Sequence, residues 1–428
     1  MSASLDSTRA QQPWQARLAT TAVRALNMVG GTLRRSGLPL VGFDAHRLMD
    51  QACSSAGLSD FGDYPLLLPL QTLLDACDSE AGLNLMGRIT TRWDVMRLLR
   101  NRLYLQRDWL NHPQIARQPV ERPIIILGLP RSGTTLLHSL LAQDPALRHP
   151  EHWELMYPSP PPEGSGRDRD PRIRKTRREL DWFYRLAPEF RAIHMMGARY
   201  PQECTEITNH TFMSLRFDTV YNVPSYRDWL DHTGLHQAYA FHKHVLQHLQ
   251  WRCPPRQWVL KAPDHVFAMD ALLSTYPDAR IVMTHRDPLK VVPSVASMTV
   301  ALQRLFSDNV DHEAVARTVG GRWADGARRM AALRAQDRTP GRYLDVHYPD
   351  LVRDPMAVVR DLYDHFGMDL SARARESMEG FLADHTQGRH GRHRYSLEQF
   401  GLDAEDQNRQ YRPYVEFFGV APETTAAR

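Results

Sequence analysis

Cysteine is scarce in these 428 residues: Cys53, Cys77, Cys204 and Cys253 lie far apart. They form no C-x-x-C pair for zinc and no dense disulfide framework, so disulfide-stapled and zinc-ribbon architectures drop out and a reducing cytoplasm fits best. A dominant charge is missing too. The 53 Lys and Arg against 49 Asp and Glu leave a formal +4, which gives no reason to expect a nucleic-acid partner. No run reaches the ~18 apolar residues that a membrane span needs. The amino terminus, MSASLDSTRAQQPWQ, lacks a basic stretch followed by an apolar core, so neither export nor insertion is expected. Repeats of 20 to 50 residues are absent. What is there, 42% hydrophobic and 24% charged residues, is the composition of a folded globular protein. The length suits about three units of ~150 residues, or one large α/β domain with a helical appendage.

From Trp14 to about Asp108 apolar residues recur at three and four, as in Leu67, Leu70, Leu73, Leu74 and Val95, Leu98, Leu99, Leu103, which predicts helices. Residues 1–118 therefore read as a helical region packed on the core. Its stretch Ala16 to Gly37, with Arg17, Arg24, Arg34 and Arg35 among apolar residues, allows peripheral membrane contact, although packing on the main domain is the favoured role. Near Glu121 the texture changes. Pro123–Leu127 is a short, nonalternating run of the kind buried on both faces of a parallel sheet, and Trp258–Leu260, Arg280–Thr284 and Arg342–Val346 repeat it. Helical segments separate the runs, so residues 119–428 predict a doubly wound parallel α/β sheet flanked by helices. Tyr157 to Pro171, rich in Pro and Gly, reads as a long surface loop. A helical insertion of about 172–250 follows, with Phe183, Tyr184, Phe190, Phe212, Phe217, Tyr221 and Tyr226, most of them expected in the core and some in an acceptor pocket.

After the first run comes Gly128-Leu129-Pro130-Arg131-Ser132-Gly133-Thr134-Thr135, then helix formers. Strand, glycine loop and helix together make an anion cradle, in which backbone N–H groups and the positive helix end converge on a phosphate. The spacing fits G-x-x-x-x-G-K-[ST] except that Thr134 stands in the lysine position. That lysine normally holds the β and γ phosphates of a triphosphate, so its loss disfavours ATP or GTP hydrolysis. Arg131 offers a planar fork suited to phosphate or sulfate.

Here the sequence resembles the sulfotransferases that use 3′-phosphoadenosine 5′-phosphosulfate (PAPS), in particular a large bacterial branch with GLPRSGTTLLHSLLAQDP, then WEL and a Pro-rich loop. The resemblance implies that Arg131, Ser132, Gly133, Thr134 and Thr135 bind the 5′-phosphosulfate, and that Arg286 and Ser294, eight residues apart in THRDPLKVVPSVASM, clamp the 3′-phosphate. It also implies that Lys261, in Trp258-Val259-Leu260-Lys261-Ala262-Pro263-Asp264-His265, assists departure of the bridging oxygen. His265 is then the preferred base, although it stands two residues further along than in the cytosolic branch. Glu154 competes with it, with Glu151 and His152 beside it, because the related tyrosylprotein sulfotransferases place a glutamate soon after the phosphate-loop helix. In Gly388-Arg389-His390-Gly391-Arg392, Arg389 and Arg392 are further phosphate candidates. The implied reaction is in-line sulfuryl transfer from PAPS, without a metal, to a hydroxyl of a small-molecule or lipid-like acceptor. A P-loop nucleotide kinase or hydrolase and a noncatalytic PAPS-binding protein are the alternatives. His285-Arg286-Asp287 is no kinase catalytic loop, since neither the following Asn nor a D-F-G is present. Two weaker signals complete the reading. His244 and His248 lack the glutamate and third ligand of a zinc site and are expected on a solvated helix face. Between Arg167 and Arg178, seven basic and two acidic residues form a basic surface.

Overall fold

The computed structural model describes residues 27–28, 30–32, 41–164, 166–186, 196–384 and 396–423. Arg389, Arg392, Phe190 and most of Ala16–Gly37 lie outside them.

All four predicted runs are strands of one parallel sheet: β1 (Ile124–Gly128), β3 (Gln257–Lys261), β4 (Arg280–His285) and β5 (Tyr343–His347). A fifth strand, β2 (Leu147–Arg148), has only two residues and no pattern to read. The order is β2-β3-β1-β4-β5, so the strand that feeds the phosphate loop sits at the centre. Every β1 residue is buried because its alternate side chains enter two different cores. Ile125 and Leu127 join Leu260, Ile281 and Met283 on one face; Ile124 and Ile126 join Val259 and Val282 on the other. Burying each such side chain contributes roughly 1.5–3 kcal/mol.

The helices that matter for the site are, in chain order, α1 (Ala45–Ala56), α2 (Leu67–Ser79), α3 (Leu85–Asn111), α4 (Thr134–Leu141), α5 (Pro171–Leu186), α6 (His236–Gln250), α7 (Pro288–Gln303), α8 (His312–Gln336) and α9 (Pro355–His365). Asn84 caps α3 by accepting the Gly87 N–H at 2.8 Å. A side chain at Gly87 would meet the Phe306 carbonyl oxygen at 2.1 Å, so glycine lets α3 lie directly on the segment that follows α7. The amino-terminal helices share one core with the insertion, since Leu70, Leu74 and Leu99 pack with Phe212, Phe217 and Tyr226. Leu105 and Trp109, further along α3, belong instead to the core under the sheet. This long helix therefore couples the helical region to the α/β core.

The expectation of a solvated face at His244 and His248 is corrected. His244 stacks on Trp109 with ring centroids 3.7 Å apart, and buried His248 meets the Pro158 carbonyl at 3.1 Å. The aromatic Trp109 makes this face of α6 apolar, and the histidines pack on it as rings. Among the described residues no helix is long and apolar enough to cross a membrane.

Candidate active site

Glycine sets the shape of the phosphate loop at two points. Gly128 ends β1 at φ 145°, where a Cβ would lie 2.3 Å from the Thr284 carbonyl oxygen of the neighbouring strand. Gly133 caps α4 at φ 95°, where a Cβ would lie 2.7 Å from Leu351. Arg131 between them is also left-handed, at φ 65°. Ser132 is fully buried; its hydroxyl bonds the Leu129 carbonyl and Thr284 Oγ1, each at 2.5 Å, which ties the loop to β4. The first backbone bond inside α4 runs from Leu137 N–H to Gly133 O, so the N–H groups of Thr134, Thr135 and Leu136 precede it at the helix's positive end. Pro130, Arg131, Gly133, Thr134 and Thr135 line a cavity of about 980 Å³. The loop thus has the donors and the concave, side-chain-free backbone that a phosphosulfate requires.

The second motif meets the first here. Arg131 Nε donates to Ser294 Oγ at 3.3 Å, and Arg286 Nη1 donates to the Arg131 carbonyl at 2.8 Å. Arg286 lies over the Tyr348 ring, 3.8 Å from its centroid, and grips Glu423 in a two-pronged pair at 2.8 and 3.1 Å. The Glu423 N–H in turn donates to Asp287 at 2.8 Å. The guanidinium expected to clamp a dianionic phosphate therefore holds a carboxylate from the end of the chain.

Lys261 closes β3 directly beside the loop, paired in register with Ile126. Its side chain is only 2% exposed; Nζ donates to Thr135 Oγ1 at 3.4 Å and makes a short ion pair with Glu203. Glu203 is held in place from both sides along the chain. Cys204 N–H donates to the Lys261 carbonyl at 3.0 Å, and the Gln202 side chain accepts the Glu203 N–H at 3.0 Å and meets His152 Nδ1 at 3.3 Å. His152, Gln202, Glu203 and Asp264 all line the cavity. Burial, then the charge of Glu203, pushes the Asp264 carboxyl up to about 7, against the pull of Arg322.

The two residues expected as base, His265 and Glu154, are not among those lining the cavity. His265 follows Asp264 in a short 3-10 turn that aims its ring away from the cavity lining and into the core, where Nδ1 meets Tyr239 Oη at 2.5 Å. Burial, with His242 and Lys261, holds its imidazole well below its ordinary value. Glu154 is fully buried, and its oxygens accept from Arg148 and Arg167, both at 3.1 Å, and from Glu151 N–H at 2.9 Å. Burial pushes its carboxyl up, but Arg148 and Arg167 outweigh that and hold it below its ordinary value. Glu151 bonds Trp153 Nε1 at 2.5 Å and pairs with Arg167 at 3.3 Å. Of that segment's three candidates, only His152 reaches the cavity.

Sequence reasoning missed Glu203 and Asp264. Asp264 stood inside a quoted motif at a strand end, a usable signal; Glu203 lies in a Pro-Gln-Glu-Cys stretch without periodicity. Most of the remaining cavity wall is apolar and comes from several elements, among them Ile89 and Trp93 of α3, Met298 and Leu302 of α7, and Val319 and Trp323 of α8, with Asp94, Arg97, Arg216, Asp218 and Arg322 as charged residues among them. The insertion expected to form the acceptor pocket lines this cavity as well, through Trp182, Phe183, Leu215, Val220 and Tyr221 among others.

Residues 123–372 match the sulfotransferase family. The fold is similar to that of sulfotransferase STF9 from Mycobacterium avium (TM-score 0.81, 30% identity, 89% of this chain and 97% of that one). It is also similar to STF1 from Mycobacterium tuberculosis (TM-score 0.77, 32% identity, 86% of this chain and 98% of that one). A relative named omega-hydroxy-beta-dihydromenaquinone-9 sulfotransferase, from Mycobacterium bovis, is 26% identical over 298 residues, 65% of this chain and 71% of that protein. With a lysine-free phosphate loop leading into a charged and partly apolar cavity, the chain belongs to the sulfotransferase family and is a PAPS-dependent sulfotransferase.

Proposed function

We propose that this enzyme sulfates a hydroxyl on an acceptor with a large apolar body, a lipid-like alcohol, and that Glu203 takes the acceptor's proton. One observation carries the reading: Glu203 caps Lys261, which also reaches Thr135, at the junction between the phosphate loop and the apolar cavity. The carboxylate and the loop line the same cavity, so a hydroxyl bound there has both within one space. PAPS supplies the activated sulfuryl group. Arg131, Thr134, Thr135 and the free N–H groups of α4 hold its 5′-phosphosulfate, with Ser132 and Gly133 shaping the loop, and Arg286 and Ser294 hold the 3′-phosphate. Lys261 neutralises charge as it builds on the bridging oxygen, a role worth about 10²–10³ in rate. Glu203, at the cavity wall, is a better base here than His265, whose ring is turned into the core, or Glu154, whose oxygens are occupied by arginines.

The size and lining of the cavity support the acceptor class, since about 980 Å³ is at the upper end of small-molecule pockets, ~300–1,000 Å³. The relative named for an omega-hydroxylated dihydromenaquinone points the same way. Four free cysteines, two of them buried, support a cytoplasmic setting. The test is turnover of labelled PAPS with long-chain primary alcohols. Glu203→Gln is expected to lower kcat about 10²- to 10⁴-fold while binding of adenosine 3′,5′-bisphosphate persists, and His265→Asn to retain turnover. Loss of turnover in His265→Asn with retention in Glu203→Gln would return the base to His265.

A further inference from the structure

Helix α5 carries six basic residues against two acidic ones. Its inner side is anchored: Ile173 packs with Trp153 and Ala198, and Tyr184 Oη accepts the Met196 N–H at 2.8 Å. That anchoring fixes the outer side, where Arg174, Lys175, Arg177, Arg178, Trp182 and Arg185 are exposed. Arg174, Arg177 and Arg178 have no carboxylate within ion-pair reach among the described residues, so their charge is not spent within the fold. Arg174, Lys175 and Arg178 also border a shallow groove.

Beside these cations the surface is apolar where it should be polar. Trp182 is 63% exposed, and Trp93 and Ile89 on α3 are 44% and 40% exposed, yet all three also line the active-site cavity. Residues that are both exposed and cavity-lining mark the cavity's mouth. Large exposed apolar groups clustered round an opening indicate a contact surface. Tryptophan beside arginine and lysine is the combination that favours the headgroup boundary of a bilayer.

We propose that this rim docks the enzyme on an anionic lipid surface. The outer face of α5 lies over the headgroups, and Trp182, Trp93 and Ile89 reach the acyl boundary, so an apolar acceptor enters the cavity without crossing water. The passage of acceptor rests on the lipid-alcohol reading above; the docking itself does not. An acidic protein could use the same cations, but it would leave unexplained why three exposed apolar residues stand at an opening into a largely apolar cavity.

Flotation of the full chain with phosphatidylcholine–phosphatidylglycerol vesicles, against phosphatidylcholine alone, tests the proposal with no acceptor present. Binding to the anionic vesicles only is expected. Each cation at such a surface contributes about fivefold in affinity, so the triple substitution Arg174→Gln, Arg177→Gln, Arg178→Gln should weaken binding on the order of 100-fold. The triple variant should keep wild-type turnover of a short-chain alcohol in solution, which shows that it is folded. Trp182→Ser should weaken vesicle binding with the charge unchanged. Equal binding to both vesicle types, no binding by the wild type, or an unaffected triple variant overturns the proposal. Binding to polyglutamate as tight as to vesicles and indifferent to Trp182→Ser overturns it in favour of an acidic protein partner. Vesicle binding without turnover of any long-chain alcohol leaves the docking standing and removes the acceptor assignment.

Discussion

Glu423 occupies the guanidinium assigned to the donor's 3′-phosphate, so removing its charge should tighten binding of adenosine 3′,5′-bisphosphate. Arg286 Nε and Nη2 each contact one carboxylate oxygen, at 2.8 and 3.1 Å, and the two side chains are 19% and 23% exposed. A fully exposed pair is worth about 0–1 kcal/mol, and a hydrogen bond to a charged group about 1.5–3 kcal/mol when protected. For this partly screened pair about 1 kcal/mol is appropriate, and it must be given up before a phosphate can take the same donors. Glu423→Gln is therefore expected to lower Kd about fivefold, a factor that follows from RT near 0.59 kcal/mol. Calorimetric titration of wild type, Glu423→Gln, Arg286→Ala and the double variant resolves the effect. Arg286→Ala should weaken binding about 10- to 100-fold, and in that background Glu423→Gln should change nothing, since the competition needs the shared guanidinium. Adenosine 5′-monophosphate, which lacks the 3′-phosphate, should bind wild type and Glu423→Gln alike. Unchanged or weaker bisphosphate binding in Glu423→Gln would refute the competition. Unchanged binding in Arg286→Ala would instead refute the phosphate role of Arg286.

Other perturbations probe the rest of the site. Lys261→Ala should cost about 10²- to 10³-fold in kcat in a steady-state assay while bisphosphate affinity changes little, because the lysine acts on charge that appears during transfer. Gly133→Ala forces a side chain into a left-handed position 2.7 Å from Leu351, so thermal stabilisation by the bisphosphate should be lost and the melting temperature lowered. Asp264 has a folded-state value of about 7, above its ordinary 3.8, so folding takes up a proton between those values. Its contribution to stability is fully present below pH 4 and is lost as pH rises through 7. Melting temperatures across pH 4–8 should therefore decline less in Asp264→Asn than in wild type, and identical profiles would place the titration elsewhere.

The sheet was legible because a central parallel strand must be apolar on both sides, and Ile124 to Leu127 has no polar residue to suggest otherwise. The same logic fails at β2, where two residues paired with Gln257 and Trp258 are too few to carry a pattern. It fails differently for the acceptor cavity. Helical periodicity announces a buried face but not what that face covers, so Ile89 and Trp93 read as ordinary helix residues although they form the cavity wall.

The phosphate loop was legible for a chemical reason: the N–H groups it presents are backbone, and the glycines that free that backbone leave a fixed spacing in the sequence. A proton acceptor leaves no such trace, because it needs only one side chain at the right point, and any loop can deliver it. Resemblance to the cytosolic branch favoured His265 despite its two-residue offset, yet the Pro263–Phe267 turn places consecutive side chains on different sides, so Asp264 faces the cavity and His265 the Tyr239 hydroxyl. Glu154 is conspicuous in sequence but is consumed by arginines that hold a buried turn together. Glu203 arrives from a chain segment nearly sixty residues from Lys261 and is fixed by the Cys204 N–H on the Lys261 carbonyl and by its own N–H on the Gln202 side chain, which no periodic pattern encodes. Its arrangement also explains why the lysine tolerates almost complete burial. An ammonium group withdrawn from water needs a partner, and the carboxylate that supplies one is the group proposed to receive the acceptor's proton. In Glu203→Gln the burial cost of Lys261 is no longer offset by an anion, so that variant should lose melting temperature as well as rate. A bound bisphosphate, whose negative charge reaches the same cleft, should restore more stability to it than to wild type. An equal thermal shift in the two proteins would mean that the lysine does not depend on this carboxylate.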